Sequence, residues 1–243
     1  MNRYLLMLMA FFMALSLKAQ IPKAERDALI ELYHATNGPE WFITWDLTAE
    51  PSQWHGVQIT NNRVTGLNLS RNNLKGSLPE SLGDLSNLYF LELYFNQLEG
   101  ELPQSLSELH NLRRLVLNSN HFDGKFPDYI YDYTNLEVLL LASNHFTGTI
   151  HGDVLKLRKL QIFNVFDNCL SGEFPMALLR LKELKEVNIA ANNFTGKLPS
   201  SLAQASEIKT LILTDNNFQN QSEFQKLLNQ RPQQTDAVIM ASY

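Results

Sequence analysis

Residues 88–103 read Leu88-Tyr89-Phe90-Leu91-Glu92-Leu93-Tyr94-Phe95-Asn96-Gln97-Leu98-Glu99-Gly100-Glu101-Leu102-Pro103. Two apolar residues flank Glu92 at alternate positions, Asn follows three residues later, and Leu, Gly and Pro stand two, four and seven residues beyond that Asn. The same pattern recurs with Asn72, Asn96, Asn120, Asn144, Asn168, Asn192 and Asn216, and every interval is 24 residues. The Gly column holds Gly76, Gly100, Gly124, Gly148, Gly172 and Gly196, and Asn220 breaks it. The Pro column holds Pro79, Pro103, Pro127, Pro175 and Pro199, with His151 the exception. A period of this length, kept in register without an insertion, marks a solenoid.

Each fixed position has a physical reason. A short strand carries the alternate apolar residues inward, and successive coils stack their strands into a parallel sheet at about 4.8 Å spacing. Where the chain turns away from the sheet, backbone N–H and C=O groups lose their partners. An Asn amide both donates and accepts, so a column of Asn satisfies those groups along the whole array. Gly permits the bend, and Pro suits a convex return where no ladder N–H is needed. Apolar residues further on, Leu82, Leu85 and Leu88 in the first coil, fill the interior from the convex side.

On these residues the chain resembles the plant-type leucine-rich repeat, the type found in plant receptor-kinase ectodomains, polygalacturonase inhibitors and bacterial secreted relatives. The resemblance covers Val64 to Phe218. It implies an α/β solenoid: a right-handed leucine-rich-repeat superhelix of seven coils, with a parallel concave sheet and a second short strand near the Leu-x-Gly-x-Leu-Pro stretch. It implies 3₁₀ or irregular turns on the convex side. Members commonly bind proteins or peptides through the concave face.

The ends of such an array must be capped, because end coils would expose their core. Residues 20–62 form the expected N-terminal cap, with an amphipathic helix from Pro22 to Ala35 that turns Leu29, Leu32 and Tyr33 inward. Trp41, Trp45 and Trp54 follow, and Trp54-x-Gly56-Val57 resembles a cap element after which plant members carry Cys. Here Ile59 takes that place, so aromatic packing must hold the cap, which favours a bacterial secreted member. The repeats occupy 63–218. Residues 219–243 form the C-terminal cap, with a helix from Ser222 to Gln230 and a short apolar run, Ala237 to Met240, able to pair with the last coil. Residues 1–19 read as a signal peptide, with Arg3 followed by the apolar run Tyr4–Leu17 and cleavage after Ala19. Processing removes Arg3 and Lys18, so the formal charge moves from −5 to −7.

That acid excess and the lack of any basic block argue against nucleic acid. A single Cys excludes a disulfide framework within the chain. Phosphate-cradling Gly loops, His-Glu-x-x-His and Gly-x-Ser-x-Gly are absent from the sequence. Function is therefore sought in the columns that point out of the concave sheet. Phe90, Glu92, Tyr94, Arg114, Val116, Val138, Leu140, Ile162 and Phe166 form a contiguous, mainly apolar patch across coils two to five. Such a patch on a solvated sheet suggests a partner surface. The expected function is an exported, non-enzymatic binding module, secreted, periplasmic or cell-surface associated, with no transmembrane span after signal cleavage. It takes a protein or peptide, with a glycan as a further class, and needs no cofactor. It acts as a monomer or weak homo-oligomer. A self-associating surface protein is the alternative. A metal-dependent enzyme is the other, built on His121, His145 and Cys169, which stand in adjacent coils one residue after the ladder Asn.

Overall fold

A computed structural model of the chain describes residues 20–204, 207–220, 222–224, 226 and 238–240. The expected signal segment, and the expected C-terminal helix beyond residue 226, lie outside the described residues.

Helix α1 (Lys23–Ala35) buries Glu25, Ala28, Leu29, Leu32 and Tyr33 against the first coil. It ends at Thr36, whose carbonyl accepts the Lys75 N–H at 3.0 Å. This junction requires Gly76: at φ 120° a Cβ there would lie 2.3 Å from the Ala35 carbonyl oxygen. Behind α1 the three tryptophans are packed as structure. Trp45 and Trp54 stack at 4.8 Å, Trp41 meets Trp45 edge-on at 5.0 Å, and all three are buried. Each indole N–H donates to a backbone carbonyl at 2.9 Å: Trp41 to Thr36, Trp45 to His55 and Trp54 to Asp46. This satisfies the polar edge of three large buried rings.

The cap joins the sheet through strand β1 (Val57–Thr60), antiparallel to β2 (Arg63–Asn68). From β2 the main sheet continues in parallel, in chain order, with one three-residue strand per coil: Phe90–Glu92, Arg114–Val116, Val138–Leu140, Ile162–Asn164, Glu186–Asn188 and Thr210–Ile212. A last strand, Val238–Met240, pairs with Thr210–Ile212 and covers that edge. A second layer follows each turn, pairing Lys75–Gly76 with Gln97–Gly100 and His121–Phe122, and Ser171–Glu173 with Asn193–Thr195. The convex side is a row of 3₁₀ turns, including Glu80–Asp84, Gln104–Glu108, Asp128–Asp132, Gly152–Lys156 and Met176–Arg180. The expected solenoid is thus the observed one.

The Asn column ties these layers together. Asn120 donates to the carbonyls of Leu93 and Leu117, each at 3.0 Å, and accepts the Leu98 N–H at 3.1 Å. Asn144 repeats this one coil on, with Leu117, Leu141 and Phe122. A ladder carbonyl such as Leu117 O therefore receives two amides, its own coil's and the next one's. At the N-terminal end, Asn72 turns the same amide to Ile43, accepting its N–H at 2.7 Å and donating to its carbonyl at 3.2 Å.

Both breaks in the sequence pattern have a structural cause. Asn220, in place of Gly, pairs with the backbone of Leu198 through both amide atoms, at 2.8 and 2.9 Å. His151, in place of Pro, keeps an N–H that donates to the buried Tyr131 hydroxyl at 2.9 Å. Tyr129 and Tyr133, from the same convex turn, donate to Pro103 O and Leu106 O.

Candidate functional site

The concave face is presented by residues that alternate with the buried strand leucines. Register fixes their neighbours: Phe90 lies beside Arg114, Arg114 beside Val138, and Val138 beside Ile162. In the next column Glu92 lies beside Val116 and Val116 beside Leu140. Register thus brings seven of the nine residues read from the sequence onto one face, with Tyr94 and Phe166 two positions beyond their strand ends, but the nine are not equally exposed to solvent. Phe166 and Arg114 are exposed, while Phe90, Glu92, Tyr94, Leu140 and Ile162 are half-buried. Val116 and Val138 retain only 4% and 9% exposure, and this corrects their reading as open contact residues. Each is a short β-branched side chain between larger ones on the adjacent strands, Glu92 and Leu140 beside Val116, Arg114 and Ile162 beside Val138. They act as the floor of the face.

Three further exposed aromatics lie outside the columns read from the sequence. Tyr89 and Phe95 flank the strand of the second coil on either side, at 46% and 51% exposure, and Phe42 in the cap reaches 76%. The Phe42 N–H donates to Asn72 O at 3.2 Å. The Arg71 guanidinium lies 4.6 Å from the Phe95 ring and 5.7 Å from Tyr94, and Arg113 lies 5.7 Å from Tyr89. Cation–π contacts of this sort hold the rings of the second coil in place. Phe95 adopts φ 53°, as do its counterparts in other coils (Arg71 57°, Ser119 57°, Ser143 52°). This left-handed turn lifts the residue before each ladder Asn out of the alternating pattern, so strand alternation could not reveal it.

At the N-terminal end the face deepens into an open depression of about 500 Å³ lined by Gly56, Gln58, Asn68, Phe90, Glu92 and Arg114, among others. The Glu92 carboxylate accepts from Asn68 Nδ2 at 2.8 Å and from Arg114 Nε at 2.9 Å. The Phe90 ring reaches back over Gly66, where an added Cβ would lie 2.0 Å from Cζ. The absence of a side chain at Gly66 therefore sets the position of the depression's aromatic wall.

The second candidate column does not converge. His121 and His145 stack with parallel rings, centroids 6.2 Å apart, and Cys169 is an exposed thiol. Parallel stacking holds the rings side by side and does not aim their nitrogens at one point, as a tetrahedral ion requires. Among the described residues no three His, Cys, Asp or Glu side chains form a group able to hold a metal ion. No helix among the described residues is long and apolar enough to cross a membrane.

The profile of the Leucine Rich Repeat family matches residues 63–85, 87–109, 111–132 and 183–205. Leucine-rich repeat protein 1 of Arabidopsis thaliana is 39% identical over 74 residues, 29% of this chain and 34% of that protein. The chain thus spans well under half the length of that relative. The solved structure of the Arabidopsis receptor kinase HAESA, in complex with the peptide hormone IDA and the co-receptor SERK1, is similar with TM-score 0.72 at 25% identity. That likeness covers 85% of this chain and 40% of the receptor. A plant ice-binding protein is similar with TM-score 0.73 at 25% identity, over 82% of this chain and 65% of its own. On the family profile, these relatives and the repeated coil of this structure, the chain is a leucine-rich-repeat protein of the plant type.

Proposed function

We propose that the chain is an exported, non-enzymatic binding module that takes a protein or peptide on its concave face. The observation that carries this reading is the line of Phe90, Tyr94, Leu140, Ile162 and Phe166, which lies half-buried to exposed on a rigid parallel sheet. A preformed surface costs little ordering entropy when a partner binds, so a few aromatic anchors can supply most of the affinity. The similar HAESA structure holds a peptide hormone and a co-receptor, which supports a protein or peptide as the class of partner. Export rests on the apolar segment Tyr4–Leu17 behind Arg3, and a bacterial source on the cysteine-free cap.

The test is capture by the purified chain. Replacing Phe90, Tyr94 and Phe166 together by Ala should abolish binding of a selected partner while a cooperative unfolding transition shows that the fold is retained. Undiminished capture would refute the concave face as the site. Sedimentation across a concentration range separates this reading from self-association through the same face. Mass growing with concentration, and lost in the triple variant, would favour the second.

A further inference from the structure

The depression at the N-terminal end of the concave face has a chemistry more specific than apolar contact. Arg114 extends from the column of Phe90 and crosses diagonally to Glu92, in the neighbouring column of the preceding strand. Its Nε is used on one carboxylate oxygen, while Asn68 holds the other. Among the described residues neither Nη group has a protein partner, and the Arg114 side chain is 49% exposed. Glu92 is only 15% exposed, and each of its oxygens still has a lone pair to offer. Carboxylate and guanidinium cancel in charge. What they present together, next to the Phe90 ring, is a fixed acceptor beside a fixed donor.

Resting on the proposed concave-face function, we propose that this depression is the specificity pocket for a carboxamide side chain, Asn or Gln, of a bound peptide. A primary carboxamide offers one acceptor and one donor in a plane. Its oxygen takes an Arg114 Nη–H, its NH₂ donates to Glu92, and its aliphatic stem packs on Phe90. A carboxylate in the same place lacks the donor and meets Glu92. A lysine or arginine lacks the acceptor and meets Arg114. An apolar side chain would desolvate the Arg114 Nη groups and the remaining Glu92 lone pairs without pairing them, and sites built around hydrogen bonds reject such ligands strongly.

The test is a random dodecapeptide phage library selected on the purified chain, followed by affinity measurement on synthetic peptides. Selected peptides should share Asn or Gln at one position, and changing that residue to Glu or Lys should weaken binding at least tenfold. The order should then change with the pocket. Glu92→Gln, with Arg114 uncompensated, should prefer the Glu peptide, and Arg114→Gln, with Glu92 uncompensated, should prefer the Lys peptide. A merely structural role for the pair would lower all three affinities together. Unfolding midpoints of both variants show that the fold is retained. Peptides without a shared carboxamide, or an unchanged order in both folded variants, would overturn the pocket while leaving the concave-face reading intact. Failure to select any peptide would overturn the carboxamide pocket, whereas selected peptides that bind the Phe90, Tyr94 and Phe166 triple variant equally well would overturn the concave-face reading itself. Glycan binding that is lost in Arg114→Gln, with no peptide selected, would assign the pocket to a sugar and overturn the carboxamide.

Discussion

Replacing Asn144, at the middle of the ladder, separates hydrogen bonding from packing as the source of the array's stability. The residue is buried, donates to Leu117 O and Leu141 O at 3.1 Å and to Ala142 O at 3.2 Å, and accepts the Phe122 N–H at 3.1 Å. The carbonyls are protected by redundancy: Leu117 O keeps Asn120, Leu141 O keeps Asn168, and Ala142 O keeps the Ser119 N–H. Asn144→Ala therefore orphans one group, the Phe122 N–H, and should cost about 2–3 kcal/mol, near the upper end for an unsatisfied buried donor. Asn144→Asp is nearly the same size but puts an acceptor where three carbonyl oxygens already converge. A buried carboxylate there must protonate, with its pKa raised about three units above the ordinary value near 3.9. The sign follows from linkage. The unfolded chain releases its proton near pH 4 and the folded chain does not, so the variant loses stability as pH rises. The loss reaches about 4 kcal/mol between pH 3.5 and pH 7 relative to the parent. Urea unfolding of the parent and both variants at the two pH values measures this. If Asn144→Asp were milder than Asn144→Ala at pH 7, or showed the parent's pH dependence, the ladder would owe its role to shape and not to its donors.

Glu25 is 1% exposed and accepts the Val64 N–H at 2.7 Å while pairing with Arg63, so Glu25→Ala should cost about 3 kcal/mol. Limited proteolysis should show the loss first as cleavage within the N-terminal cap. His151→Pro restores the repeat pattern but deprives the Tyr131 hydroxyl of its N–H partner, and should destabilise by about 1–2 kcal/mol. In a Tyr131→Phe background the same change should be neutral or favourable, and a cost that persists there would place the cause elsewhere. Gly66→Ala should cost about 1–3 kcal/mol by displacing Phe90, and much less when Phe90 is already Ala, which a double-mutant cycle in urea reads directly. The Glu80 carboxyl is held below its ordinary pKa, chiefly by the backbone N–H of Ser105, with that of Gln104 adding to it. It supports the fold above the unfolded-state pKa and loses that support as pH falls through the lower folded value. Since it is largely exposed, Glu80→Gln should cost no more than about 0.5 kcal/mol at pH 7, with the difference shrinking as the pH is lowered through the carboxylate range.

The fold was readable because each coil repeats its physical demands at one interval. An inward Leu such as Leu91 or Leu115 and a turn amide such as Asn96 or Asn120 answer the same need in every coil, so the period alone identifies them. The exceptions were readable as exceptions but not as solutions. Nothing near Asn220 in sequence shows that its amide will meet Leu198, or that Tyr131 will receive the His151 N–H from the next coil. Those contacts join residues 20 or 22 positions apart and depend on side-chain reach, which the repeat unit leaves free.

The candidate site divides along the same line. Within the strands, Phe90, Glu92 and Arg114 share one face, because a period of two decides which side a residue takes. It could not assign depth. Val116 sinks while Arg114, two positions earlier on the same strand, stays open, and the difference lies in the length of neighbours on other coils. Alternation also ends at the strand, so the left-handed turn that exposes Phe95 was invisible to it. The consequence for recognition is that the face has two unlike parts. Over coils four and five, Leu140, Ile162 and Phe166 offer area with little direction. At the cap, Asn68, Glu92 and Arg114 form a chain of directed hydrogen bonds whose geometry depends on three successive coils being in register. Apolar area tolerates small shifts between coils, whereas a donor and acceptor held side by side do not. Changes that loosen the first coils, such as Glu25→Ala, should therefore erode selectivity between peptides before they erode affinity for the apolar stripe.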